Sequence, residues 1–270
     1  EEAAGALWSL SAQNADNQAA IAKAGGIDSL VTLVGLATDR GQEQAAGALA
    51  SLALDNAKNQ ASISQQLVDL LKGSSAIQNT REKAARAVSR FARADSSNQD
   101  TIAEAGGIAL TVSLLEPKPY ENPALSRVST VVGKLDSAIA DEGEEGEEGD
   151  DEPKPTGEHH KTQTELCAAL WSLAADNSEN QTAIATESGI SLLIAMLSDH
   201  PHIHREAAGA LWSLSADPVN QKLIAEAEGI PMICSLLKYG AKNILVRSEP
   251  RTHTGICVCV PCGLRPCLTS

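Results

Sequence analysis

Aromatic side chains are nearly missing from this chain: Phe, Tyr and Trp together make up 2% of its 270 residues. That is too little bulk for the thick core of a globular domain of this length, so any core must be thin and aliphatic. Leu, Ile, Val and above all Ala supply the apolar set. Ala is the strongest helix former, and β-branched runs bounded by turn residues are scarce, so an all-α fold is expected. Basic charge is also short. The 21 Lys and Arg face 35 Asp and Glu, a net charge of −14 that opposes the counterion release driving nucleic-acid binding. No nucleic-acid partner is expected. Nine of the acidic residues fall within 141–152, which holds no basic residue, and without that run the net charge is −5. No apolar run approaches the roughly 20 residues that span a bilayer, and no charged-then-apolar leader opens the chain. Direct membrane insertion is therefore not expected, and the chain reads as intracellular, cytoplasmic and/or nuclear. Its first residue, Glu1, falls in the middle of a repeat, which reads as a fragment of a longer chain.

What the sequence does contain is a period. Asn-Gln pairs begin at Asn17, Asn59, Asn98, Asn180 and Asn220, and the residue four positions after each Asn is isoleucine: Ile21, Ile63, Ile102, Ile184 and Ile224. An Asn can cap the free backbone donors of a helix start, and an Ile one turn further in faces a core, so each pair is expected to open a short first helix. Gly25-Gly26 and Gly106-Gly107 end that helix in two units and single glycines, Gly189 and Gly229, in the last two, where glycine permits a tight turn. An apolar second helix such as IDSLVTLVGL or ISLLIAML follows. After a polar loop comes a longer third helix: AAGALWSLSA from Ala3, AAGALASLAL from Ala45, AARAVSRFAR from Ala84, LCAALWSLAA from Leu166 and AAGALWSLSA from Ala207. A fixed period near 40 residues marks stacked helical units that cannot bury their faces alone.

The NQ…I…AGGI…AAGAL pattern resembles the armadillo repeat family, whose unit has three helices. The resemblance covers nearly all of 1–115 and 164–238. It implies a right-handed α-solenoid whose third helices line a concave groove. Among armadillo proteins the pattern is most similar to vacuolar-anchor, plant ubiquitin-ligase-associated and β-catenin-like members, which dock partners on that face.

The spacing of 82 between Asn98 and Asn180 is nearly two periods. The chain is thus divided into repeats over 1–115, an insert over 116–163, repeats over 164–238, and an irregular cysteine-containing tail over 239–270. Within the insert a helix is expected at about 124–140 and a disordered acidic linker over 141–163. Two arrangements fit: an insertion between the second and third helices of one unit, or a unit whose third helix is 125–140 followed by an acidic run replacing two helices.

The resemblance also assigns a candidate groove. Nuclear import receptors of the family carry an Asn on the third helix and a Trp four residues before it; here the first position holds Ser9, Ser51, Arg90, Ser172 and Ser213, and the second Gly5, Gly47, Arg86, Ala168 and Gly209. That disfavours an import receptor. Trp8, Trp171 and Trp212 instead sit just before the Ser position, where an indole could be a binding hot spot or could pack against the neighbouring unit. The partner-binding set is therefore Trp8, Ser9, Ser51, Arg86, Arg90, Trp171, Ser172, Trp212 and Ser213, for a protein or peptide partner. His159-His160 and His200, His202 and His204 read as loop residues rather than metal ligands, and the acidic run as a solvating segment. Cys257, Cys259, Cys262 and Cys267, with His253, do not match paired CxxC zinc spacing, although a metal-binding regulatory tail is the alternative from another class. Cys167 and Cys234 read as small core residues. No motif marks a catalytic set or a cofactor site, so a binding scaffold and not an enzyme is expected.

Overall fold

The computed structural model describes residues 1–73, 78–116, 157–199 and 201–237. The expected insert helix, most of the acidic linker, His200 and the cysteine tail lie outside the described residues. All regular structure among the described residues is helical: α1 (Glu2–Ser11), α2 (Ala15–Lys23), α3 (Gly26–Leu36), α4 (Asp39–Ala53), α5 (Ala57–Lys72), α6 (Gln78–Ala94), α7 (Ser96–Glu104), α8 (Gly107–Ser113), α9 (Gly157–Ala174), α10 (Ser178–Thr186), α11 (Gly189–Met196), α12 (His204–Leu214), α13 (Pro218–Glu226) and α14 (229–237). No single one of them is long and apolar enough to cross a membrane.

The helices stack as a solenoid in one compact unit, Glu1–Leu236. The third helices lie side by side, α1 on α4, α4 on α6, α6 on α9 and α9 on α12. Alanine makes this possible. Ala45, Ala48, Ala84, Ala85, Ala169, Ala207 and Ala210 are all fully buried, letting the helices approach closely around Leu49, Leu52, Leu170 and Leu173. One thin aliphatic cluster runs from Ala4 to Ile224.

The Asn of each Asn-Gln pair plays a different part from the one its spacing suggests. The cap of the first helix is the residue three positions before it: Asn14, Asn56 and Asn177 accept from the backbone N–H of Asn17, Asn59 and Asn180. Asp95 and Asp217 cap α7 and α13. The Asn itself lies inside the helix, and in four of the five pairs it donates its amide to the carbonyl ending the preceding third helix, whereas Asn220 donates to Gln181 O of α10 at 3.4 Å. Asn17 reaches Leu10, Asn59 Leu52, Asn98 Phe91 and Asn180 Leu173, at 2.8–3.0 Å. Helix ends leave such carbonyls without partners, and an amide donor one turn into the next helix reaches them. The paired Gln extends the link: Gln18 donates to Ser51 and Leu54, and Gln99 to Ser172 and Ala175, at the end of the unit's own third helix.

The glycines also divide their work. Gly25 and Gly106 occupy the left-handed region, at φ 77° and 79°. In the last two units that residue is Ser188 or Glu228, at φ 64° and 61°, and not the glycine. Gly26, Gly107, Gly189 and Gly229 follow the turn and are needed for space: a Cβ there would lie 2.5–2.8 Å from the Cγ2 of Ile21, Ile102, Ile184 or Ile224. The second unit has no glycine between Asn59 and Lys72, and there the first two helices fuse into α5, with Ile63, Leu67 and Leu71 buried along one face.

α9 packs on α6 and α8 together. The Gln163 amide donates to Leu114 O and its oxygen accepts from Glu116 N–H, both at 3.2 Å, closing the end of α8. α9 is thus the third helix of the unit that α7 and α8 begin, the placement expected of an insertion between second and third helices. It starts at Gly157 rather than 164, so 157–163, expected as disordered linker, is helical. The reason is that Thr162 and Gln163 are buried against the unit and no proline lies within 157–174. Cys234 is a further correction. It lies exposed on α14, whereas Cys167 is buried as expected.

Candidate binding groove

The groove-side positions of α1, α4, α6, α9 and α12 differ sharply in accessibility. Ser9 and Arg90 are exposed, Ser51, Arg86, Trp171 and Ser213 half-buried. Ser172 is buried, its hydroxyl bonded to Ser89 Oγ and Ala168 O at 2.8 Å. It serves the α6–α9 junction and offers no surface.

The tryptophans interlock with glycines. Trp8 lies over Gly47, where a Cβ would come within 2.8 Å of its ring, and Trp171 over Gly209, within 2.6 Å. Trp8 is 41% exposed and Trp212 75%. The packing role is thus visible for Trp8 and Trp171, while Trp212 offers most of its indole to solvent.

Arg86 is the electrostatic centre. Its Nε donates to Glu165 Oε1 at 2.8 Å, one terminal nitrogen to Glu82 at 2.8 Å and the other to Asp39 at 3.2 Å, joining α4, α6 and α9. Burial works to lower the Arg86 guanidinium, but the hydrogen bond and charge of Glu165, with the charges of Glu82 and Asp39, outweigh it and hold it above its ordinary value. For Glu165 the balance tips the other way. Burial raises its carboxyl, and the bond and charge of Arg86 return only part of that, so it stays above the usual carboxylate range.

Two residues of this face escaped the sequence reading. Arg93 is exposed, sits 6.0 Å from the Trp171 ring centroid and donates Nε to Ser172 Oγ at 2.9 Å. Glu165 holds the junction. The signal for Arg93 was available: Arg86, Arg90 and Arg93 recur at helical spacing on one face of α6. Away from this face, His160 lies beside buried Asp199 at 3.7 Å and His204 within 3.0 Å of the Asp199 carbonyl. Among the described residues no three His, Cys, Asp or Glu side chains gather as a metal set would require.

No family model matches the chain, and no curated protein does. Solved structures do. One engineered protein aligns at 25% identity and TM-score 0.53, over 87% of this chain and 81% of that one. A designed armadillo repeat protein in complex with the peptide (KR)4 aligns at 18% and 0.53, over 87% and 84%. Computationally designed armadillo repeat proteins for modular peptide recognition align at 19% and 0.51, again over 87% and 84%. The chain therefore has the armadillo-repeat fold: a right-handed α-solenoid of three-helix units.

Proposed function

We propose that this chain is a non-catalytic scaffold that holds an extended segment of a partner protein along its third helices. The observation that carries this reading is continuity: α6 and α9 adjoin although 79 residues separate Arg86 from Glu165, so the insert does not interrupt the row of third helices. Two of the similar structures are designed proteins made for, or bound to, peptides, which supports a peptide-sized partner. Arg90 and Arg93 are exposed on α6, and Arg93 is held against Trp171, so a segment carrying carboxylates is favoured. The same two cations repel the lysine-rich peptides an import receptor would take.

Fluorescence anisotropy with labelled acidic, neutral and basic extended peptides tests the reading. Binding should weaken on R90E/R93E, with helicity by circular dichroism unchanged, and should be untouched by K23E on α2. Peptide binding that ignores the third-helix variants would refute the proposal.

A further inference from the structure

Charge on the groove side of the third helices is confined to one helix. In the row of matched positions from Gly5 to Gly209 the charged residue is Arg86, and in the row from Ser9 to Ser213 it is Arg90. Three residues further on the row reads Ala12, Leu54, Arg93, Ala175 and Ala216, and Arg93 is its charged residue. All three arginines lie on α6. Among the described residues the ion pairs of α6 all belong to Arg86, which Glu82, Glu165 and Asp39 surround. Arg90 and Arg93 are exposed, with no carboxylate in ion-pair reach among the described residues.

Arg93 is braced by α9. Its Nε donates to Ser172 Oγ at 2.9 Å, and its guanidinium carbon stands 6.0 Å from the Trp171 ring centroid. Ser172 Oγ is fixed in turn, 2.8 Å from Ser89 Oγ and from Ala168 O. Ser172 offers no surface of its own, and its part here is to position Arg93. An arginine engaged through Nε keeps both terminal nitrogens, the end of the fork that a carboxylate takes in a bidentate pair. Holding the fork in place beforehand lowers the entropy that binding an anion would cost. Leu54, the residue at the end of α4 in register with Arg93, is 38% exposed and adds an apolar neighbour opposite the Trp171 ring.

Repetition creates an ambiguity for any segment lying along this row. Stacked units that offer the same small neutral residues let it slide by one unit at little cost. At Arg90 and Arg93 the units are not equivalent. We infer that this part of α6, braced by α9, is a single subsite for the carboxylate of one Asp or Glu in the partner segment, and that this contact sets the segment's register on the groove. The inference rests on the third-helix scaffold reading and adds where the acidic residue lies and how many are needed. A slip by one unit carries the carboxylate to Ser51 and Leu54, or to Ala175 beside buried Ser172, where no cation balances it. A hydrogen bond to a charged group is worth roughly tenfold to a hundredfold in affinity, enough to select one register.

Extended Ser/Ala/Thr peptides with a benzophenone at one end, carrying no Glu, one Glu or two, test this on the full 270-residue chain. Fluorescence anisotropy gives the affinity, and mass spectrometry maps the photo-crosslink. The single-Glu peptide should bind roughly tenfold or more tightly than the neutral one, and moving its Glu along the peptide should move the crosslink correspondingly. A second Glu should add only the statistical gain of two ways to fill one subsite. R93A should erase the preference and scatter the crosslinks along the third helices. S51R/L54R/R90S/R93L moves the cations to α4, and R90S also places a hydroxyl in the register of Ser172. It should restore the preference with the crosslink displaced by one unit, about 10 Å. Crosslinks confined to α2, α7 or α10, or no binding by any peptide, overturn the scaffold reading and this inference together. Crosslinks along the third helices with an affinity that ignores Glu, or a register unchanged in R93A and in the four-site variant, overturn this inference alone. So does a phosphoserine peptide that binds where the Glu peptide does not.

Discussion

The tryptophan–glycine interlock gives the sharpest stability prediction, through G209A. A methyl group at 209 would sit 2.6–2.8 Å from three atoms of the Trp171 ring system, which is fused and held between α9 and α12. Overpacking of this kind costs about 1–3 kcal/mol, while replacing a helical Gly by Ala returns about 1 kcal/mol. G209A should therefore destabilise by about 1 kcal/mol with the indole present. Half-buried Trp171 should cost about 2 kcal/mol on truncation to Ala, some half of the value for a fully buried Trp. Once it is gone, G209A should become stabilising by about 1 kcal/mol, because only the backbone preference remains. The two substitutions then couple by about 2 kcal/mol, within the range for contacting residues. Urea unfolding followed by circular dichroism on the four proteins measures this, with the denaturant slope checked for constancy. An equal effect of G209A in both backgrounds would refute the packing account. W212A supplies the control, with an expected change within about 0.5 kcal/mol for an exposed side chain.

Three further outcomes follow from the same geometry. S188G should raise stability by about 0.5–1 kcal/mol by relieving a left-handed non-glycine residue, and urea midpoints of S188G and wild type decide it. N98A strips the buried amide from the Phe91 carbonyl and should cost about 1–3 kcal/mol, well above N17A, whose bond to Leu10 is solvent-exposed; equal losses would contradict a role for burial in this inter-helix bond. Glu165 has its folded pKa raised above the ordinary 4.5, so its contribution is fully present below that pH and is lost as pH rises through the folded value. E165Q should remove that loss, and the stability difference between E165Q and wild type should grow in favour of E165Q from pH 4.5 toward neutrality. A difference that runs the opposite way would show that Arg86 outweighs the burial of Glu165.

Much of the fold was legible because periodicity is a local property repeated five times. The Asn-Gln pairs, the glycines and the alanine-rich third helices each located an element within a few residues. What was misread concerns where a side chain's partner lies. Asn98 looks like a cap because it stands near a helix start, but its amide points back to Phe91 O in the previous helix, which no spacing within one unit discloses. Gly26 and Gly189 look like turn residues, yet the reason for them is the methyl of Ile21 or Ile184. The helical state of 157–163 depends on Gln163 reaching Leu114 across the insert. Ser172 occupies a groove register and is nevertheless buried, because Ser89 and Arg93 come to it from α6. Sequence placed the row of third helices; it could not rank the openness of the positions along it.

The meeting of α6 with α9 has a kinetic corollary. Elsewhere consecutive third helices are joined through two short helices or, between α4 and α6, through the single α5, so their contacts close small loops. Ser89 and Ser172 are 83 positions apart, and a longer loop costs more chain entropy to close, although slowly, as the logarithm of its length. The blocks before and after the insert are therefore expected to acquire their amide-exchange protection separately and earlier, with the α6–α9 seam the slowest to be guarded.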